Sequence, residues 1–159
     1  MKTKLLIGGV ILLLIIGLTV VNKANASDGV RLSLGQTVSN STIPYMEISL
    51  EREGWQYGYR LIGEGHTESG DQETTDAFSV VRMIRPPKWK IFGLCDAFLF
   101  AGVSYVSKTP LVGKQNYRIG GGCDFNQIVA LKYSHDSSAN IHKDNRGLDG
   151  ISLDFKLSF

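Results

Sequence analysis

Three residues near the C-terminus have the types and spacing of a serine hydrolase site: His135, Ser137 and Asp149. In a β-strand, residues two apart share one face and lie roughly 7 Å apart along the chain. A serine hydroxyl is a weak nucleophile unless a base takes its proton. Histidine can be that base, and a carboxylate can orient the imidazole and stabilise its charged form. These residue types therefore predict a serine nucleophile activated by a histidine base.

The three residues belong to a predicted C-terminal hairpin whose second strand alternates cleanly between apolar and polar positions. Over residues 151–159, apolar side chains occupy every second position, and the given sequence ends on an aromatic residue. This pattern is typical of a lipid-facing strand of an outer-membrane barrel. His135 and Ser137 continue the apolar parity of the first strand, and Asp149 shares that of the second. Polar groups on an otherwise apolar face favour an enzyme that works on a lipid.

Eight segments of the chain have the pattern of membrane-spanning strands. Barrel strands of roughly 10 residues need be apolar only at alternate positions. The predicted strands are residues 29–38, 44–52, 55–64, 77–85, 95–106, 116–124, 127–137 and 148–159. The fold is therefore predicted to be all-β, an eight-stranded antiparallel transmembrane β-barrel, because closure of the sheet removes exposed strand edges.

The predicted connections differ between the two ends of this barrel. If the N-terminus starts in the periplasm, the periplasmic turns are short and lie near Glu53–Gly54, Pro86–Pro87 and Asp124–Asn126. The opposite connections are mostly longer and more polar, near residues 39–43, 65–76, 107–115 and 138–147. Short periplasmic turns with longer external loops are the pattern of bacterial outer-membrane barrels. This topology would place the hydrolase-like residues near the external leaflet.

Charged side chains are predicted to line the barrel interior rather than to form a second site. An eight-stranded barrel is normally filled by side chains, so no wide pore is expected. The residues predicted for the interior are Arg60, Arg82, Glu47, Glu51 and Glu64.

The first 26 residues have the features of a secretory signal peptide. Lys2 and Lys4 precede an apolar run over residues 5–21, and Ala24-Asn25-Ala26 is an A-x-A cleavage site. We predict cleavage and a barrel domain over residues 27–159, and an uncleaved anchor is the alternative, because the apolar run is long. Cleavage would remove three of the 17 lysines and arginines and none of the 15 acidic residues, which leaves a net charge near −1. The sequence contains no basic patch that would predict a nucleic-acid partner.

The two cysteines, Cys95 and Cys123, are predicted to lie on neighbouring strands of one hairpin, where they could face each other. Export permits a disulfide, and two small buried thiols are the alternative that the sequence leaves open. His66 and His142 fall in predicted loops with no third ligand for a zinc site, so no metal is expected.

The stretches His135-Asp136-Ser137 and Asn145-Arg146-Gly147-Leu148-Asp149 resemble the end of the lipid A 3-O-deacylase family. Members of that family are eight-stranded outer-membrane barrels with a His-x-Ser motif and an acidic residue at matching spacing. The resemblance implies that Ser137 is the nucleophile, His135 the general base and Asp149 the orienting acid. It also implies a site that faces the lipid at the outer leaflet and needs no metal or organic cofactor.

The chain departs from the family pattern at two positions. Asp149 stands where the family usually has glutamate, whose reach to the imidazole is longer. Ser138 stands where the family usually has an asparagine that helps to form the oxyanion hole. The loss of one such donor costs a factor of roughly 10²–10³ in rate. Ser138, Asn140 or a backbone N–H group are the candidates for that role in this chain.

The residues and the resemblance together predict a lipid A deacylase-like esterase that hydrolyses an ester-linked acyl chain of lipid A. Its location would be the bacterial cell outer membrane, and its partners lipid A or lipopolysaccharide and other outer-membrane lipids. The missing asparagine favours an alternative, a non-enzymatic small outer-membrane barrel with a structural or surface-interaction role. A soluble secreted β-barrel that binds a ligand is a third alternative.

Overall fold

The computed structural model describes residues 28–87, 89–125, 128–138 and 146–159. Within these residues lie eleven β-strands: β1 (Gly29–Val38), β2 (Pro44–Arg52), β3 (Trp55–Ile62), β4 (Gly65–Thr67), β5 (Gly70–Gln72), β6 (Thr75–Ile84), β7 (Lys90–Ile91), β8 (Cys95–Val106), β9 (Gln115–Phe125), β10 (Val129–Ser137) and β11 (Leu148–Ser158). No helix among the described residues is long and apolar enough to span a membrane. The predicted signal peptide lies outside the described residues and stays a prediction.

Eight of the described strands form one closed antiparallel barrel. Neighbouring strands follow the order β6–β3–β2–β1–β11–β10–β9–β8, and β8 pairs with β6 to close the sheet. The predicted eight-stranded architecture is confirmed, and β1, β2 and β8 have the predicted bounds. The other five barrel strands differ from their predicted bounds by one or two residues at one or both ends.

The barrel wall is apolar outside and polar inside. Along β11, the outward residues Ile151, Leu153 and Phe155 are exposed, whereas Ser152 and Asp154 between them are buried. The same alternation runs along β1, β3 and β10. A water-soluble barrel would bury its apolar face, so this inverted distribution is that of a transmembrane barrel.

Ion pairs fill the middle of the barrel. Glu47 on β2 accepts hydrogen bonds from Arg118 at 2.7 Å and from Arg60 and Lys132 at 3.1 Å. Lys132 also lies 3.2 Å from Asp154 on β11. Buried charges are tolerated when they are paired, so these contacts tie five strands together across a filled interior. Three of the charged residues predicted for the interior are buried there: Glu47, Glu51 and Arg60.

The interior prediction is wrong for Arg82 and Glu64. Arg82 lies on the outer face of the barrel, where its guanidinium carbon is 5.4 Å from the Trp55 ring and its Nη1 donates to the Glu53 carbonyl at 2.8 Å. It shares the parity of the exposed Val80 on β6. Glu64 is exposed because β3 ends before it.

We call the end of the barrel where β10 finishes and β11 begins the loop end, and the opposite end the turn end. At the turn end, β2 and β3 join through Glu53 and Gly54, with φ of 51° and 77°. A tight hairpin turn of type I′ needs positive φ at both positions. A turn lies at Pro86–Pro87 as predicted, closed by the Trp89 N–H donating to the Pro86 carbonyl at 3.3 Å, but the chain reverses onto β8 only at residues 92–94, after β7. Prolines lack an N–H group and interrupt the strand, which resumes as β7.

A disulfide joins Cys95 at the start of β8 to Cys123 near the end of β9. Their Cα atoms are 5.5 Å apart, a normal separation for a disulfide, and both residues are buried. The two strands are neighbours, as the sequence predicted.

The loop end carries a buried apolar cluster and a hairpin that the sequence did not predict. β4 and β5 pair within the connection from β3 to β6, which was predicted as a loop without strands. The apolar cluster consists of Ile43, Tyr45, Ile62, Ala77, Val106, Leu111, Val112 and Leu148. Since Leu148 begins β11, this cluster fixes the end of the wall where the hydrolase-like residues lie.

Candidate active site

β10 carries His135 and Ser137 on its outer face. Both side chains are half-buried and continue the parity of the exposed Tyr133, whereas Asp136 between them is fully buried inside the barrel. The strand thus presents the imidazole and the hydroxyl to the same side of the wall, roughly 7 Å apart along the chain.

Asp149 on β11 lies directly opposite His135 in the strand register. The Nδ1 atom of His135 and the Oδ1 atom of Asp149 are 2.9 Å apart. An ionised carboxylate can only accept hydrogen bonds, so Nδ1 is the donor, and in the neutral imidazole Nε2 then carries the lone pair. Directly opposed residues have Cβ atoms only about 5 Å apart, which is why the short aspartate side chain reaches the imidazole.

Tyr133 holds the same carboxylate from the neighbouring position. Its hydroxyl donates a hydrogen bond to Asp149 Oδ1, the oxygen that His135 also contacts. The Asp149 side chain is 12% exposed and the His135 side chain 32%. Together with the Ser39 side chain, which also hydrogen-bonds to Asp149, these donors fix a shielded carboxylate, while the imidazole stays accessible from outside the barrel.

Gly147 packs against the imidazole. Its φ is +79°, and a Cβ atom added there would meet His135 Cε1 at 2.6 Å and Nδ1 at 3.3 Å. Only glycine satisfies both the left-handed backbone and the close approach of the ring. Neither Gly147 nor Tyr133 was singled out from the sequence. A glycine shortly before a strand indicates a turn, but it does not indicate contact with a distant ring.

Three connections at the loop end anchor the backbone beside Gly147. The Asn40 side-chain amide donates to the Arg146 carbonyl at 2.8 Å. The Arg146 N–H donates to the Leu111 carbonyl at 3.0 Å, and its guanidinium pairs with Glu68 at 3.0 Å. The loops thus hold the residue that sets the position of the imidazole.

The two oxyanion candidates differ in what the structure describes. Ser138 lies just past the end of β10 and is 1% exposed, unlike the half-buried Ser137. Asn140 lies outside the described residues. The oxyanion roles of Ser138 and Asn140 stay predictions.

The second described histidine lies on the separate two-stranded β4–β5 sheet and not on the barrel wall. His66 Nδ1 and Asp71 Oδ1 are 2.9 Å apart on the exposed β4–β5 hairpin. His142 lies outside the described residues. Within the described part of the chain, no group of three or more histidine, cysteine, aspartate and glutamate residues could hold a metal ion.

The geometry on the outer wall suits proton transfer coupled to nucleophilic attack. The imidazole is held through Nδ1, its Nε2 can accept a proton, and a serine shares its face of β10. These are the parts that an activated serine requires. Because they face outward, they can act on a molecule that lies against the barrel wall.

Comparison with known proteins supports the architecture. No protein-family model and no curated protein matches the sequence. Among solved structures, the chain is similar to the outer membrane enzyme PagL, with 20% identity, a TM-score of 0.57, and coverage of 82% of this chain and 99% of PagL. It is also similar to the Yersinia pestis outer membrane protein Ail, with 11% identity, a TM-score of 0.44, and the same coverage. The likeness to PagL establishes a shared fold, and the likeness to Ail is too distant to support an argument.

Proposed function

We propose that this protein is a lipid A deacylase-like esterase of the bacterial outer membrane. The observation that carries the proposal is the contact between His135 Nδ1 and Asp149 Oδ1 on the outer face of the wall, beside Ser137. The shared fold with an outer membrane enzyme supports the location. The resemblance of the C-terminal hairpin to the lipid A 3-O-deacylase family supplies the substrate class.

In the proposed reaction, Ser137 Oγ attacks the carbonyl carbon of an ester-linked acyl chain, and His135 Nε2 takes the hydroxyl proton. Collapse of the tetrahedral intermediate breaks the ester bond, and His135 gives the proton to the departing sugar oxygen. Water then attacks the acyl-serine, with His135 again taking and returning a proton. The products are a fatty acid and the free sugar hydroxyl, and Asp149 stabilises the imidazolium in both steps.

The position of these groups on the wall favours a lipid substrate. Polar and ionisable side chains at a membrane-facing surface are costly and usually have a function. His135, Ser137 and Asp149 interrupt a face that is otherwise formed by exposed apolar residues such as Leu131 and Ile151. With the loop end outside the cell, they would lie beside the outer leaflet, where lipid A resides.

Oxyanion stabilisation in this proposal comes from backbone N–H groups near Ser137, from Ser138 or from Asn140. A serine hydroxyl or a backbone N–H group can donate to a developing oxyanion as an asparagine amide does. The substitution of the family's asparagine by Ser138 therefore predicts slower turnover than in a chain with asparagine there.

Mass spectrometry of lipid A from Gram-negative cells that express the chain tests this function. The unmodified chain should remove one hydroxyacyl mass from lipid A, and the Ser137→Ala variant should leave lipid A intact. Heat-modifiable migration of both proteins in gels would verify that both barrels are folded. Unchanged lipid A with the unmodified chain folded in the outer membrane would contradict the proposal and favour the non-enzymatic barrel.

A further inference from the structure

A groove of about 760 Å³ lies on the outer wall of the barrel, next to the candidate active site. Small residues on neighbouring strands form its floor, and larger side chains border it. The residues that define it are Ala97, Gly121, Cys123, Leu131, Tyr133 and Trp89.

The strand register explains why the wall is recessed here. Gly121 lies between Leu99 and Tyr133 in one row of paired residues, and Cys123 lies between Ala97 and Leu131 in the next. Small side chains are therefore adjacent across β8 and β9, flanked by tall ones on β10. A Cβ atom at Gly121 would come within 2.9 Å of both the Leu99 side chain and a backbone carbonyl oxygen. This close approach keeps the floor of the groove free of a side chain.

Trp89 borders the groove on the side of β7. The Ala97 N–H donates to the Trp89 carbonyl at 2.7 Å, which fixes this segment along the edge of β8. The prolines at positions 86 and 87 interrupt β6 just before it. Trp89 is thus held by backbone pairing at the border of an apolar recess.

The groove is continuous with the candidate active site through Tyr133. This residue lines the groove with its ring and donates its hydroxyl to Asp149. From Ser137 to Leu131 the outer face of β10 descends by about 20 Å along the strand. An extended hydrocarbon chain whose ester group lay at Ser137 could therefore lie along Tyr133 and Leu131 toward Trp89.

We propose that the groove holds the acyl chain of the ester that Ser137 attacks, and that Trp89 limits the length of chain it accepts. This inference rests on the proposed function. Hydrocarbon surrounds the whole wall, so the preference for the groove must come from closer packing rather than from the hydrophobic effect. The acyl-serine ester also favours occupation of the groove, because it tethers the acyl chain at Ser137 and so gives the chain a high effective concentration beside the groove.

Filling the groove tests the proposal. Ala97→Phe places a ring in the recess, and the matched control Ala101→Phe makes the same change on the same strand and face outside it. Hydrolysis of p-nitrophenyl esters of increasing saturated chain length by the purified, detergent-solubilised protein is the measurement. Ala97→Phe should lower kcat/KM for long chains by about tenfold while leaving short chains unchanged. Ala101→Phe should follow the unmodified protein at every length.

Opening the Trp89 side of the groove should have the opposite effect. Trp89→Ala should shift the preferred ester toward longer chains, whereas Phe92→Ala, an exposed aromatic truncation in the nearby turn, should not. Identical chain-length profiles for Ala97→Phe and Ala101→Phe, with hydrolysis intact, would overturn the groove and leave the proposed function standing.

A binding measurement separates the groove from catalysis. Trp55 and Trp89 are the two tryptophans, so Trp55→Phe leaves Trp89 as the single indole. A fatty acid spin-labelled near its methyl end should quench Trp89 fluorescence saturably, and Ala97→Phe should weaken this while Ala101→Phe does not. If neither the unmodified chain nor any variant hydrolysed an ester, the proposed function would fail. Quenching unaffected by Ala97→Phe would then overturn the groove as well.

Discussion

The described residues include two cross-strand histidine–aspartate pairs with the same contact distance. His135 faces Asp149 across β10 and β11, and His66 faces Asp71 across β4 and β5. In each pair Nδ1 and Oδ1 are 2.9 Å apart. The two pairs differ in their burial and in the groups next to them, so the contact alone does not define a catalytic site.

The difference lies in burial and in the neighbouring groups. His66 and Asp71 are 83% and 88% exposed on a hairpin of two three-residue strands, where solvent screens a charge pair and leaves it weak. His135 and Asp149 are 32% and 12% exposed and belong to long strands of the closed wall. Only the wall pair has a serine two residues after its histidine, since Glu68 occupies that position after His66.

The largest predicted effect is the loss of activity in His135→Ala. Without the general base, kcat should fall by roughly 10⁴–10⁶-fold, because the serine hydroxyl keeps its proton. His66→Ala, which removes the same side chain from the exposed pair, should leave the rate unchanged. Lipid A deacylation by the purified proteins is the measurement. Equal losses in the two variants would show that neither histidine is a specific base.

The second prediction concerns the carboxylates. Asp149→Asn should lower kcat by roughly 10²–10⁴-fold, because the amide neither stabilises the imidazolium nor fixes the tautomer of His135. Asp71→Asn should have no effect on the same assay. If kcat of Asp149→Asn fell by only about twofold, Asp149 would have no part in the mechanism, because the loss of an orienting acid has a larger effect.

The third prediction uses two glycines with the same backbone conformation. Gly147→Ala should lower kcat by about 10²-fold, because the new methyl group displaces the imidazole. Gly93 has φ +72° with nothing within 4 Å of an added Cβ atom, so Gly93→Ala imposes the backbone strain without the contact. Comparable activity in the two variants would indicate that Gly147 serves only the turn.

The smallest predicted effect belongs to Tyr133→Phe. Loss of one hydrogen bond to the Asp149 carboxylate should reduce kcat by about tenfold, with little change in KM for short esters. Tyr105→Phe removes a hydroxyl from another exposed tyrosine, on β8, and should have no effect. A reduced thermal stability of Tyr133→Phe without a kinetic change would assign Tyr133 a purely structural role.

Strand alternation predicted the barrel because a transmembrane wall must be apolar on one face at every second residue. It could not predict β7 or the β4–β5 hairpin, whose short strands carry no such constraint. It also misplaced Arg82, whose long side chain lies against Trp55 on the outer face. A charged residue can occupy that face near a barrel end because it reaches the polar boundary of the membrane.

The candidate site was only partly visible in the sequence. The parity of His135, Ser137 and Asp149 predicted a shared face, and the structure brings His135 and Asp149 into contact. Gly147 could not be found in this way, because its contact with the imidazole depends on how three other loops hold the backbone beside it. Tyr133 shares the apolar parity, so its role as a hydrogen-bond donor is not visible from its position alone.

If the residues around His135 activate Ser137, a serine-reactive fluorophosphonate should label Ser137 whatever the natural substrate is. The detergent-solubilised protein would be labelled and the modified residue identified by peptide mass spectrometry. We expect an adduct on Ser137 in the unmodified chain and in His66→Ala, and its loss in His135→Ala. No adduct on Ser137, or equal labelling of Ser137 in the His135→Ala variant, would show that His135 does not activate this serine.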